Sequence, residues 1–247
     1  MSEQIVHITV DGVRIPARVG QSVLQACDAA GIYIPRLCYH PDLEPGGHCR
    51  LCTCKMNNRY GASCHTLVAD GMIVESNTQE LNDDRRALVE MMFVEGNHIC
   101  PSCEKSGDCE LQAMAYRLGL EQPQLPYQWT PKPIDATHPD IYIDRNRCIL
   151  CCRCVRASRE EDDKSVFGLE GRGIHMQLAV NSAEGAGGTN LDRADKAAEV
   201  CPVACIVVKE TAFRTPYGHR RFDQAPIGSE IEAKRPGPHP APKSKQD

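Results

Sequence analysis

Large aromatic side chains are scarce in this sequence: phenylalanine, tyrosine and tryptophan make up 5% of 247 residues, with one tryptophan and four phenylalanines. Small domains of that composition have little apolar bulk to bury, and bound metal commonly supplies the stability they lack. Basic charge is not in excess. The net charge is −5 and no basic stripe stands out, which argues against nucleic acid as a partner. Long hydrophobic runs are missing too. The longest, Ala87 to Val94, is interrupted by Glu90 and is far too short to span a bilayer. The start, Met1-Ser2-Glu3-Gln4-Ile5-Val6-His7, has neither the basic nor the apolar segment of a secretory leader. The expected location is therefore cytoplasmic, with no direct membrane insertion. No Gly-x-Gly-x-x-Gly follows a strand pattern and no Gly-x4-Gly-Lys-Ser/Thr occurs, so no nucleotide-binding loop is expected. The one dense glycine cluster, Gly185-Ala186-Gly187-Gly188, reads as a flexible turn.

What the chain has is cysteine, fifteen in all. In a reducing compartment such residues are metal ligands more often than disulfides, and the odd count weighs against complete pairing. Eleven of them, with one histidine, form three sets of four: Cys38, Cys49, Cys52 and Cys64; His98, Cys100, Cys103 and Cys109; and Cys148, Cys151 and Cys154 with a distant Cys201-Pro202.

The spacing of each set carries chemistry. Cys38-x10-Cys49-x2-Cys52-x11-Cys64 places three thiols in one loop and the fourth on a later segment, after a hairpin and a helix. Gly46 and Gly47 precede Cys49, and glycine lets the backbone turn its N–H groups toward sulfur. The expected cofactor is a [2Fe–2S] cluster; a four-cysteine zinc site shares the Cys-x2-Cys element and is the alternative. His98-x-Cys100-x2-Cys103-x5-Cys109 reads as a [4Fe–4S] site, with three-cysteine, one-histidine zinc as its alternative. A neutral imidazole replacing a thiolate makes a cluster less negative by one charge and easier to reduce. Cys148-x2-Cys151-x2-Cys154 with Cys201-Pro202 is the ferredoxin run, the most specific signal in the chain, and one such triplet implies one [4Fe–4S] cluster. Cys27 is expected to be a buried apolar residue, while Cys54, Cys152 and Cys205 lie beside ligands, Cys205 being the main rival of Cys201. No side chain is expected to do acid–base or covalent catalysis, so no catalytic residue is assigned.

Hydrophobic patterning organises these sets. Val6, Ile8 and Val10, a turn at Asp11-Gly12, then Val13, Ile15 and Ala17 predict a β-hairpin. Ser22 predicts the start of a helix over 23–30, closed by Gly31, with strands near 53–56 and 72–75. Helices are expected over 81–95 and 110–118, around the middle motif. A third unit has a strand over 141–143, a strand pair within 166–180, a helix near 191–200 and a strand over 206–209. The expected domains are 1–78 for [2Fe–2S], 79–119 for the His/Cys site, a proline-rich connector 120–139, 140–211 for the ferredoxin-type site, and an extension 212–247 whose end, from Lys234, reads as disordered. The charged run 159–164 is expected to be a solvated face, and Tyr217–Phe222 a docking strip for a partner.

Together the stretches Leu37-Cys38-Tyr39, Gly47-His48-Cys49-Arg50-Leu51-Cys52, Glu95-Gly96-Asn97-His98, Cys100-Pro101-Ser102-Cys103-Glu104-Lys105-Ser106-Gly107 and Arg147-Cys148-Ile149-Leu150-Cys151-Cys152-Arg153-Cys154-Val155-Arg156 resemble the N-terminal iron–sulfur part of the complex I large subunit. They resemble still more the small diaphorase subunit of the bidirectional NAD-reducing nickel–iron hydrogenases, across roughly residues 1–230. Two departures from complex I favour the latter: a single residue, Ile99, separates His98 from Cys100 where complex I has three, and no long region follows the third motif. The resemblance implies an α+β chain: a β-grasp [2Fe–2S] domain, a small helical [4Fe–4S] domain with one His and three Cys ligands, and a ferredoxin-type [4Fe–4S] domain. It implies an electron-transfer subunit of a hydrogen:NAD+ oxidoreductase, with no substrate site of its own. Its partners would be a flavin/NAD(H)-binding diaphorase subunit and the hydrogenase small and large subunits. The equivalent subunit of an NAD-dependent formate dehydrogenase or an NADH dehydrogenase is the alternative.

Overall fold

In the computed structural model, residues 4–235 are described, and they divide into two compact units. The first comprises residues up to 35, 52–77 and those from 228 onward. Its centre is a mixed five-stranded sheet in the order β2-β1-β5-β3-β4, where β1 is Ile5–Val10, β2 Val13–Arg18, β3 Thr53–Met56, β4 Arg59–Ala62 and β5 Ile73–Glu75. The hairpin forms where the alternation predicts it, with Ile8 opposite Ile15 and Val10 opposite Val13. Asp11 and Gly12 both take positive φ (48° and 81°), the twist that a two-residue turn between strands requires. The Asp11 carboxylate then accepts from the Ser76 amide at 2.7 Å, tying the turn to the end of β5. β1 and β5 run parallel and the remaining pairs antiparallel.

Helix α1, Val23–Ala29, starts at Ser22, whose hydroxyl accepts from Gln25 N while Gln25 Oε1 accepts from Ser22 N. Gly31, at φ +72°, follows its end. Val23, Leu24 and Ala26 are buried with Ile8, Val10 and Val74, and Cys27 joins them as the buried small residue expected. The strand β4 has no counterpart in the hydrophobic pattern. Its signal is the pair Asn57-Asn58, both at positive φ, which closes a β3–β4 hairpin.

The second unit holds residues 36–51 and 78–227. Helix α2, Gln79–Val94, is capped by the Thr78 hydroxyl, and α3, Glu110–Arg117, ends before Gly119 at φ +68°. Arg85 lies buried on α2 and donates through Nε to the Leu51 carbonyl at 2.9 Å. The connector contributes a strand of its own: β6, Ile134–Asp135, pairs with β7, Ile141–Asp144, which pairs with the last strand, Ile206–Val208, in an antiparallel sheet. Between these come helix α4, Arg153–Glu160, and the hairpin of β8, Phe167–Glu170, with β9, Gln177–Val180.

Two local expectations change. The helix near 191–200 shrinks to Lys196–Glu199, because the Asp162 carboxylate accepts from the amides of Lys196 and Ala197 and fixes where the helix starts. The same contacts mean that 159–164 is not simply a solvated face: Asp162 caps that helix, and Lys164 pairs with Asp195 at 2.7 Å. The glycine cluster is a tied turn, with Ala186 N donating to Asp135 and Gly187 N to Thr137, both at 2.8 Å. The disorder expected at the chain's end falls, from residue 236 on, outside the described residues. No helix among the described residues is long and apolar enough to cross a membrane.

Candidate metal centres

The middle motif is built at the end of α2. A Cβ on Gly96 would overlap the His98 ring, so glycine is what lets the imidazole fold back there. Phe93 meets the ring edge-on at 5.5 Å between centroids. The Met92 carbonyl accepts from the ring, and Nε2 is buried without a partner, so the proton sits on Nδ1 and the Nε2 lone pair is free. Burial first, and the Arg147 charge second, lower the His98 pKa to about 4. The ring is therefore neutral at neutral pH, the form that binds metal. His98, Cys100, Cys103 and Cys109 line one small pocket. Cys109 caps α3, its sulfur accepting from Gln112 N at 3.5 Å, yet burial pushes its thiol up to about 12. Such a group ionises when a metal supplies the opposing charge.

The ferredoxin-like motif is a tight turn leading into α4. Leu150 and Cys152 both adopt left-handed backbone (φ 52° and 57°), coiling the chain so that Cys148, Cys151 and Cys154 line one small pocket with Cys201 and Cys205. Backbone amides are aimed at the sulfurs: Leu150 N at Cys148 (3.4 Å), Arg153 N at Cys151, and the amides of Val203 and Ile206 at Cys201. Desolvation raises the Cys151, Cys154 and Cys201 thiols. Cys205 acts differently: its thiol donates to Cys148, which lowers Cys148 and raises Cys205 itself. Cys152 donates to the Leu150 carbonyl at 3.5 Å, as a thiol rather than a thiolate.

The first cysteine set is divided between the units, Cys38 and Cys49 in the second and Cys52 and Cys64 in the first. In the second unit, the amides of Leu37 and Cys38 both donate to Cys49 Sγ at 3.4 Å. A hydrogen bond from the Cys49 thiol is the main cause that holds Cys38 down, to about 5. Gly47 takes φ +67° in this loop, and a Cβ on Gly46 would overlap the His48 ring. In the first unit Cys52 and Cys64 sulfurs lie 3.4 Å apart, close to the ~3.8 Å of two ligands sharing a tetrahedral metal with ~2.3 Å metal–sulfur bonds. The Ser63 hydroxyl fixes this pair by donating to the Cys52 carbonyl at 2.8 Å. Cys54 points instead to the Cys52 carbonyl.

Among the described residues, no three His, Cys, Asp or Glu groups close on one point as around a lone ion. A cubane takes one protein ligand per iron and keeps its ligands spread around it, which suits cysteines lining a shared space. The orphaned His98 Nε2 lone pair and the amide-bonded sulfurs fit that donor requirement.

Sequence reasoning missed the tethers of these loops. Arg153 forms a buried bidentate pair with Glu110 (3.0 and 2.7 Å), joining the residue before Cys154 to the residue after Cys109. Removing one partner of such a pair costs about 3–5 kcal/mol. Arg147, beside Cys148, pairs with Glu104, beside Cys103, and Tyr142 donates to the same carboxylate. The segment Tyr217–Phe222 straps the chain's own middle loop. Phe222 N donates to the Gly107 carbonyl, Arg221 N to Asp108, and Arg220 Nη1 to the Ser106 carbonyl. Charge adjacency in the motifs signals the ion pairs; nothing in the sequence signals the strap.

Known proteins match this arrangement along the chain. Residues 3–79 match a 2Fe-2S iron-sulfur cluster binding domain, 85–124 the NADH-ubiquinone oxidoreductase-G iron-sulfur binding region, and 141–208 a 4Fe-4S single cluster domain. The α+β fold and these three regions define a multi-cluster iron–sulfur protein with one [2Fe–2S] and two [4Fe–4S] clusters. The NAD-reducing hydrogenase HoxS subunit gamma of Cupriavidus necator is 36% identical over 219 residues, covering 88% of this chain and 93% of that protein, and this chain belongs to its family. The crystal structure of NAD+-reducing [NiFe]-hydrogenase in the H2-reduced state contains a chain 45% identical, with a TM-score of 0.89 over 93% of this chain and 98% of that one. The 78 kDa subunit of mitochondrial NADH-ubiquinone oxidoreductase from Candida albicans is 32% identical over 85% of this chain, which spans 29% of that longer protein.

Proposed function

We propose that this chain is the electron-transfer subunit of an NAD-reducing nickel–iron hydrogenase. In it, single electrons pass between a flavin/NAD(H)-binding diaphorase subunit and the hydrogenase small and large subunits. Full-length similarity to the gamma subunit of such an enzyme supports the complex. The observation that carries the redox role is the buried, unpartnered Nε2 of His98, a residue that shares one lining with Cys100, Cys103 and Cys109. The ligand sets are Cys38, Cys49, Cys52 and Cys64 for [2Fe–2S]; His98, Cys100, Cys103 and Cys109 for one [4Fe–4S]; and Cys148, Cys151, Cys154 and Cys201 for the other. The Val203 and Ile206 amides aimed at the Cys201 sulfur support Cys201 as the fourth ligand of the last. Along the sequence we assign 1–78 to the β-grasp [2Fe–2S] domain, although its residues 36–51 belong to the second compact unit, then 79–119, the connector 120–139, 140–211 and the extension 212–247. The location is cytoplasmic.

When bound, the clusters supply one-electron redox capacity, and the protein sets where and at what potential. The Met92 carbonyl holds the His98 tautomer, amide dipoles point at the thiolates, and burial limits water. No side chain here carries out proton or group transfer. The test is anaerobic purification of the complex, with iron and acid-labile sulfide analysis and EPR after reduction by hydrogen or NADH. EPR signals of three clusters that appear on reduction and vanish on reoxidation by NAD+ are expected; zinc, or absent sulfide, would end the proposal. The complex I relatives support the alternative of an NADH or formate dehydrogenase subunit, which co-purified nickel or molybdenum would separate.

A further inference from the structure

Arg153 is 3% exposed, and a guanidinium keeps its charge even there. Its two terminal nitrogens are occupied: both reach the Glu110 carboxylate, and Nη1 also approaches the Val200 carbonyl at 3.5 Å. Its Nε–H has no partner, one of two buried side-chain polar atoms so placed among the described residues; the other is His98 Nε2. A buried donor without an acceptor is costly, and such groups commonly face something the protein is built to bind. Val200, whose carbonyl Nη1 approaches, precedes Cys201, and after Glu110 the groups that would act most on this guanidinium, once ionised, are the thiols of Cys151 and then Cys49. The backbone N–H of the same residue points at Cys151 sulfur. The pair is polar in a fixed sense, with its positive end next to Cys154 in sequence and its negative end next to Cys109. Glu104 and Arg147 repeat that order between Cys103 and Cys148, although Arg147 also lines the His98 space.

We propose that Arg153 is a positioning residue for the ferredoxin-type [4Fe–4S] site, its Nε–H reserved for sulfur there and its charge, anchored by Glu110, raising that cluster's midpoint potential. Reduction adds one negative charge in a buried, weakly screened place, and a fixed cation nearby stabilises the reduced form. Glu110 opposes this from the far side of the guanidinium. The inference rests on the ligand assignment above.

The test is an EPR-monitored redox titration of the intact complex carrying Arg153→Gln, Arg153→Lys or Glu110→Gln, with iron and sulfide measured alongside. With iron content unchanged, Arg153→Gln should lower the midpoint of the ferredoxin-type cluster, and Glu110→Gln should raise it. Arg153→Lys, which keeps the charge but lacks the Nε–H, should fall between wild type and Arg153→Gln. Shifts in the same direction for Arg153→Gln and Glu110→Gln, or no shift in either, would overturn the inference. Should Arg153→Gln not assemble, a Glu110→Gln midpoint that rises supports it, and one that is unchanged or lower overturns it. Absence of the cluster's signal from the wild-type complex would instead sink the functional reading.

Discussion

The two cubane motifs of the second unit solve the same problem by different means. At the ferredoxin-like site, Cys151, Cys154 and Cys201 are buried, and two left-handed residues coil the loop so that its own amides face the sulfurs. In the middle motif Cys100 and Cys103 are half-buried, and its geometry draws on Met92 at the α2 end, on Gly96 just after it and on the sequence-distant 220–222 strap. One site is organised by its own turn, and the other by what is packed on it. The difference explains why Cys-x2-Cys-x2-Cys was decisive as a motif, whereas His-x-Cys-x2-Cys left zinc open.

The largest expected effect tests the self-organised site. Cys151→Ala should remove one whole [4Fe–4S] cluster from the iron analysis and reduce hydrogen-driven NAD+ reduction by more than ~100-fold, beyond what loss of an outer-shell partner causes. Next comes the borrowed geometry. Gly96→Ala, outside any ligand, should displace His98 and deplete the middle cluster while the ferredoxin-type EPR signal stays; equal depletion of both would erase the contrast. A milder change is His98→Cys, which should keep the iron and lower the middle cluster's midpoint, because a thiolate adds a negative charge. Arg220→Ala should leave the cluster content as isolated unchanged and speed loss of the middle cluster in air by a few-fold, followed by its EPR amplitude over time. The smallest effect belongs to Cys205→Ala, which should retain full iron, whereas Cys201→Ala loses a cubane. Equal losses from both would reassign the fourth ligand.

Much of the fold was legible because its signals are local. The Asp11-Gly12 hairpin and the Ser22–Gln25 cap follow from side-chain period and capping chemistry within a few residues. The strand β4 was legible in principle, through Asn57-Asn58, but its four residues carry no clear alternation. The shortening of the helix to Lys196–Glu199 was not, because the carboxylate that starts it lies 34 residues earlier, at Asp162. Nothing local signalled that the Arg221 and Phe222 amides and Arg220 Nη1 of the strip 217–222 bond to residues 106–108 of the same chain.

By itself the sequence determined how many clusters there are and marked candidate ligands for each, since residue type and spacing are properties of contiguous chain. Tertiary structure alone decided how those atoms are prepared. It left the lone pair of His98 free, aimed the Val203 and Ile206 amides at Cys201, and paired Arg153 with Glu110 across 43 residues. Protonation state, hydrogen-bond direction and buried charge depend on neighbours brought together by folding, and no spacing along the chain encodes them.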